Sequence, residues 1–121
     1  MAINLLTDAV ASAFGNWVRV EPPARKTWPF SVKFINGSIA WTSGNVIIEE
    51  LVGGIPTSPG PITQYNPGKL INDVQTGTVV QMGVFGPGSP DFEIDQPVDF
   101  IRARTDSGIV GHVSVFLQEA A

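Results

Sequence analysis

The residues able to do chemistry are few and far apart. His112 is the only histidine, so a triad or general-base mechanism would have to run through it. It stands in an alternating run among valines, whereas catalytic groups concentrate on strand ends and loops. The pattern predicts a solvent-face or interface residue. Glu49 and Glu50 are adjacent, hence on opposite faces of a strand, and do not form a paired carboxylate site with each other. Asp91, Glu93 and Asp95 alternate onto one face. Three carboxylates so placed could hold a hard cation such as calcium, which takes about six to eight oxygens. The glycine and terminal glutamate of an EF-hand loop do not follow in place, however. A solvated acidic strand, or a patch for a basic partner, is the expectation, with no metal and no cofactor. Gly83 to Gly88 is glycine-rich, but no helix follows it and its proline removes an amide donor, so it is no phosphate loop. Ser12 and Ser43 lack the context of a nucleophile elbow. These residues predict a protein that is not an enzyme.

Arg102 and Arg104 lie two residues apart, and Phe100 shares their face. One reading leaves the arginines solvated, in salt bridges worth up to about 1 kcal/mol. The other pairs them with carboxylates of a neighbouring subunit, where the planar guanidinium fork is favoured. A mixed aromatic–arginine surface of this kind is enriched at interfaces.

The elements that would position these residues read as strands. From His112 to Gln118 the chain alternates strictly, with Val113, Val115 and Leu117 on one face. Val98 to Thr105 is β-branched and aromatic around Ile101 and Ala103. Asp106, Ser107, Gly108 and Gly111 supply turn chemistry between the two, which predicts a closing β-hairpin. Lys26 to Ile35 is the clearest early strand, with Trp28, Phe30, Val32 and Phe34 on one face and Pro29 marking an edge. Asn36-Gly37 is a strong two-residue hairpin signal and would pair Phe34 with Ile39 and Val32 with Trp41. A change of parity then requires a bulge or second turn at Thr42 to Gly44 before a strand from Val46 to Leu51. Asn16 to Val20, Leu70 to Val74, Gly77 to Phe85 and Phe92 to Ile94 read as further strands. The expected core comprises Trp28, Phe30, Val32, Phe34, Trp41, Ile48, Val80, Ile101, Val113, Val115 and Leu117.

Two stretches stand apart. Ile3 to Phe14 has the only helix-tolerant composition and reads as an N-terminal arm over residues 1–14, one helical turn or an added edge strand. It packs on its own core or on a neighbouring subunit; Leu5, Leu6 and Val10 are its candidate contacts. Residues 53–69 hold four prolines and four glycines, too many for a ladder, and read as a long loop. Such loops are functional or mobile; Ile55, Pro56, Pro59, Pro61, Ile62 and Tyr65 are its candidate contacts.

At 121 residues the chain makes one domain, here a β-sandwich over 15–121 following the arm. With 13 glycines, 10 prolines and only 15% charged residues it suits a turn-rich β protein. The fold class predicted is all-β: an antiparallel sandwich of about seven or eight strands, jelly-roll or immunoglobulin-like, with under about 10% helix. The absence of cysteine excludes a disulfide framework. A net charge of −4 argues against a nucleic-acid partner. No apolar run approaches the roughly 18 residues of a membrane span, and no secretory signal is read at the N-terminus.

Taken in order, LLTDAVASAFGNWVRV, WPFSVKF, NVIIEEL and PVDFIRARTDSGIVGHVSVFLQ resemble small β-sandwich proteins of tailed-phage structural modules. In those the last strands read as an aromatic, then Ile-Arg-Ala, a glycine-rich turn and an alternating valine strand. Phe100, Ile101, Arg102, Ala103, Gly108, Gly111, Val113 and Val115 match that pattern, while the long loop at 53–69 departs from the compact version. The resemblance implies a location in the virion and a role as a capsid cement or decoration protein on the phage head. It would act as a homo-oligomer, with a dimer favoured, contacting the major capsid protein or other virion subunits. A tail-associated subunit and a carbohydrate- or receptor-binding module are the alternatives.

Overall fold

A computed structural model of the protein describes residues 2–19, 30–52, 77–94 and 100–119. Eight strands lie in these segments: β1 (Ala2–Ala9), β2 (Val18–Arg19), β3 (Phe30–Asn36), β4 (Val46–Val52), β5 (Thr78–Phe85), β6 (Phe92–Ile94), β7 (Phe100–Thr105) and β8 (Val113–Glu119). None of the described residues is helical. The strands form two four-stranded sheets, β1-β8-β3-β6 (sheet A) and β2-β7-β4-β5 (sheet B), antiparallel throughout. The predicted Leu70–Val74 strand, Trp28, Pro29, Val20, Asp95 and the whole 53–69 loop fall outside the described residues.

The pairings β1·β8, β2·β7, β3·β6 and β4·β5 amount to a chain folded in half, and β8·β3 and β7·β4 close the two sheets. This nesting is the connectivity of a jelly roll. In an immunoglobulin sandwich the first two strands pair with each other; here they lie in different sheets.

Alternation sets the core. Val113, Val115 and Leu117 of β8 meet Phe30 and Val32 of β3 from sheet A, and Val46, Ile48, Ile101 and Ala103 from sheet B, all buried in one cluster with Trp41. Phe34 is half-buried at its margin, stacked on Phe85 with ring centroids 4.7 Å apart. Val80, expected in the core, is 41% exposed. It belongs to β5, which among the described residues ends sheet B, with β4 as its one neighbouring strand.

Two local readings, both of hairpins, give way to tertiary structure, and of the two forms expected for the N-terminal arm the edge strand is the one found. The N-terminal arm is strand β1, at the edge of sheet A, so the sandwich begins at Ala2. Leu5 and Leu6 are both buried, which strict alternation forbids. The pairing with β8 shifts between Asn4 and Leu6 and again between Leu6 and Ala9, and the shifts turn both leucines inward. Asn36-Gly37 makes no hairpin: neither residue has the positive φ that the primed turn needs. Phe34 instead pairs with Val115, and Val32 with Leu117. Both edges of β3 are taken, by β8 and β6, and the chain crosses from Gly37 to sheet B, leaving Ile39 exposed.

The closing pair is no hairpin either, because β7 belongs to sheet B and β8 to sheet A. The crossing is held where Ser43 bridges Val110 and where Gly111, at φ 94°, lies against the carbonyl of Ala40. A side chain at position 111 would collide with that carbonyl and would strain the backbone.

Candidate functional site

On β7, Ile101, Ala103 and Thr105 point into the core, so Phe100, Arg102 and Arg104 share the outer face of sheet B. The register with β4 sets Arg102 opposite Glu49, with Ile47 and Leu51 on either side along the same face. Arg102 Nε donates to Glu49 Oε1 at 2.8 Å, and Arg104 Nε donates to Glu49 Oε2 at 2.9 Å. One carboxylate, only 7% exposed, is thus held by two guanidiniums. The carboxylates foreseen in a neighbouring subunit are replaced by one from the same chain.

Aromatic rings overlie the arginines. The Arg102 guanidinium carbon sits 4.4 Å from the Trp17 ring centroid and 5.1 Å from that of Phe14; Arg104 lies 5.9 Å from Phe14. Each such contact adds about 0.5–2 kcal/mol, more as water is excluded. Trp17, Phe100 and Leu51, with Val79 against them, form a small second apolar cluster on this face.

Phe14 reaches the face because residues 10–15 are strapped along β7. Thr105 Oγ1 accepts the Ala13 N–H at 2.8 Å and donates to the Val10 carbonyl at 2.6 Å. The Thr105 N–H donates to Ala13 O at 2.9 Å, the Gly15 N–H to Ala103 O at 2.8 Å and the Ser12 N–H to Asp106 O at 3.0 Å. The strap leaves the Phe14 ring 64% exposed above the two arginines, and Val10 exposed at its start. A groove of about 500 Å³ runs between β1 and residues 13–18, with Phe14 on its rim; Glu49, Arg102 and Arg104 do not line it. Asp106 lies beyond Arg104. Its carboxyl is held below the usual range chiefly by the Asn45 backbone, then by the Gly108 N–H, with Arg104 adding a smaller pull.

A second cluster of polar groups sits where β1 ends, the chain turns at 37–39, and β8 begins. Asp8 Oδ1 accepts the Ser38 N–H at 2.6 Å, and Asp8 Oδ2 accepts the Ser38 hydroxyl at 3.0 Å. His112 Nδ1 lies 3.1 Å from both Asp8 Oδ2 and Ser38 Oγ. The Ser38 N–H first, and His112 next, hold the Asp8 carboxyl below the usual carboxylate range. The residue types are those of nucleophilic catalysis, but the geometry differs. A triad sets hydroxyl and carboxylate on opposite ring nitrogens, whereas here both meet Nδ1. The cluster fastens the corner: the Gly37 N–H donates to His112 O at 2.8 Å, and the Asp8 N–H to Ser114 Oγ at 2.9 Å.

Of the residues singled out in the sequence, Phe100, Arg102 and Arg104 come together on one face. Leu5 and Leu6 belong to the core, and Val10 lies on the strap. Ile55, Pro56, Pro59, Pro61, Ile62 and Tyr65 are outside the described residues. Asp91 pairs with Lys33 at 2.7 Å, Glu93 is exposed, and among the described residues no three His, Asp or Glu gather as metal ligands. Glu49 and Phe14 are the residues of this face that sequence reasoning missed. An acid set within the apolar run Val46 to Leu51 was the available signal, since a buried carboxylate demands a partner.

No protein-family model matches the chain, and no curated protein or solved structure matches it either.

Proposed function

We propose that this protein is a non-catalytic virion structural subunit, a capsid cement or decoration protein that bridges neighbouring subunits of a phage head. The observation that carries this reading is the outer face of sheet B, where Arg102 and Arg104 are held by Glu49 beneath the exposed ring of Phe14. Arginine and aromatic side chains dominate binding hot spots. Here they are ordered before a partner arrives, so less side-chain entropy is lost on docking. The jelly roll accommodates the reading without carrying it, because the same architecture serves capsid and lectin domains. The partner is the major capsid protein or another virion subunit. Many modest contacts, repeated over a shell, add up through multivalency.

The alternative is a tail-associated or carbohydrate-binding subunit, and the exposed Phe14 ring favours it, since sugars stack on such rings. Virions assembled with and without the chain separate the readings. Loss of shell stability on heating is the expected result. Stable heads that no longer adsorb would assign a receptor role, and particles lacking tails would assign a tail role; either outcome overturns the cement reading. Phe14→Ala, at an exposed position, should leave the fold intact and lower occupancy on the particle about tenfold.

A further inference from the structure

A sheet edge exposes unpaired N–H and C=O groups, and folded proteins blunt it with brevity, charge, proline or bulges. Among the described residues four strands end the two sheets: β1 and β6 in sheet A, β2 and β5 in sheet B. β1 is broken by two register shifts, and Asp8, at φ 49°, lies within the second. β6 includes Glu93 and follows Pro90 and Asp91. β2, Val18–Arg19, carries a charge in Arg19. β5 differs. It is eight residues, Thr-Val-Val-Gln-Met-Gly-Val-Phe, with neither charge nor proline. Its Val80 and Val84 are 41% and 49% exposed, and among the described residues no strand pairs with its outer edge.

We propose that β5 pairs antiparallel with β5 of a second copy of this chain, extending sheet B across a twofold axis. The single irregularity of β5 is what makes it complementary to itself. Its register against β4 skips Met82, so the two halves of the strand have opposite parity. Thr78, Val80, Gly83 and Phe85 lie opposite Val52, Glu50, Ile48 and Val46, the inner face. Val79, Gln81 and Val84 lie opposite Leu51, Glu49 and Ile47, the outer face. A twofold axis between Gln81 and Met82 then sets Thr78 opposite Phe85, Val79 opposite Val84, and Val80 opposite Gly83. Each of these three pairs is inner with inner or outer with outer, as a continuous sheet requires; at the axis itself Gln81 meets Met82, which packs on the core, so the parity mismatch is confined to the irregularity. A neutral strand meets no like charge in its own copy, although each chain carries a net charge of −4. The contact is isologous, so it consumes both edges and stops at a dimer rather than growing into a fibre.

Sedimentation equilibrium of the full chain over a range of concentrations tests this, together with hydrogen exchange of the β5 amides. The expected result is a reversible dimer whose β5 amides gain protection as concentration rises. Val84→Lys, at an exposed position, should raise the dimer dissociation constant by about tenfold or more. Ile39→Lys, equally exposed but far from β5 in the chain, should leave it unchanged, with the circular dichroism of both variants matching the parent. A chain that stays monomeric at hundreds of micromolar overturns the proposal. So does a dimer that Val84→Lys leaves intact, or one whose added protection lies on another strand.

Discussion

Two carboxylates in this molecule are each held by two partner residues, and their surroundings give them different weights. Glu49 sits on a strand face with its side chain 9% exposed, and two arginine side chains hold it. Asp8 sits at a corner, 43% exposed, and a backbone N–H is its chief partner. Removing a partner from a buried ion leaves a charge that water cannot reach, and that is costly. Removing a partner from an exposed ion lets water take its place. The arginines over Glu49 are therefore required by the fold itself. The Asp8 corner is a local fastening that the fold can survive losing.

The largest effect should follow from Arg102→Ala. Breaking a buried ion pair costs about 3–5 kcal/mol. The lower end applies here, because Arg104 remains on Glu49 and the Arg102 side chain is 19% exposed. Replacing the whole cluster together, Glu49→Leu with Arg102→Met and Arg104→Met, should recover most of that loss, since apolar isosteres of a buried ionic cluster are often as stable. Denaturant titration of both variants decides it. A single variant that loses under about 1 kcal/mol would put Glu49 on the same footing as Asp8.

An intermediate effect is expected at Gly37. A Cβ there would meet the Asp8 carboxylate and lie 2.8 Å from the His112 Cβ and 3.2 Å from the His112 carbonyl carbon. Asp8 can swing away, but the backbone at 112 cannot. Gly37→Ala should thus cost about 1–3 kcal/mol, the range for overpacking. A thermal melt showing a larger loss than Arg102→Ala would reverse the order of the two sites.

What the sequence made legible was parity, and parity is a local property. The inward faces of β3, β7 and β8 follow from alternation: Phe30 and Val32, Ile101 and Ala103, Val113 to Leu117. Phe100, Arg102 and Arg104 were assigned to one face by the same rule. Strand partners are not local, and there the reading failed. Asn36-Gly37 and the Asp106–Gly111 turn carry hairpin chemistry, yet β3 pairs with β8 across a separation of about 80 residues. Burying the valine face of β8 against both sheets outweighs a favourable two-residue turn. Ile3 to Phe14 left a helical turn and an edge strand both open, because the register shifts in β1 bury the adjacent Leu5 and Leu6 and break the alternation that marks a strand. The partnership of Glu49 with two arginines required knowing that β4 lies beside β7, which no local pattern states.

The smallest effect belongs to Asp8 itself and is best read as a function of pH. Its folded-state carboxyl lies below the ordinary 3.8, chiefly through the Ser38 N–H and then His112. A depressed folded pKa contributes stability above the unfolded value, and that contribution is lost as pH falls through the folded one. The window therefore opens just below about pH 4 and extends downward. Asp8→Asn removes the titrating group while keeping the backbone, because asparagine tolerates the positive φ of 49° found there. The variant should be slightly less stable than the parent near neutrality, and the gap should close as the parent is acidified. Some acid sensitivity must persist in the variant, since Asp106 is also held below the ordinary value, chiefly by the Asn45 backbone. Urea midpoints measured from about pH 7 down to about pH 2 would resolve the two curves. If they stay parallel throughout, the Asp8 charge contributes nothing to the corner, and hydrogen bonds that asparagine can also make are what hold it.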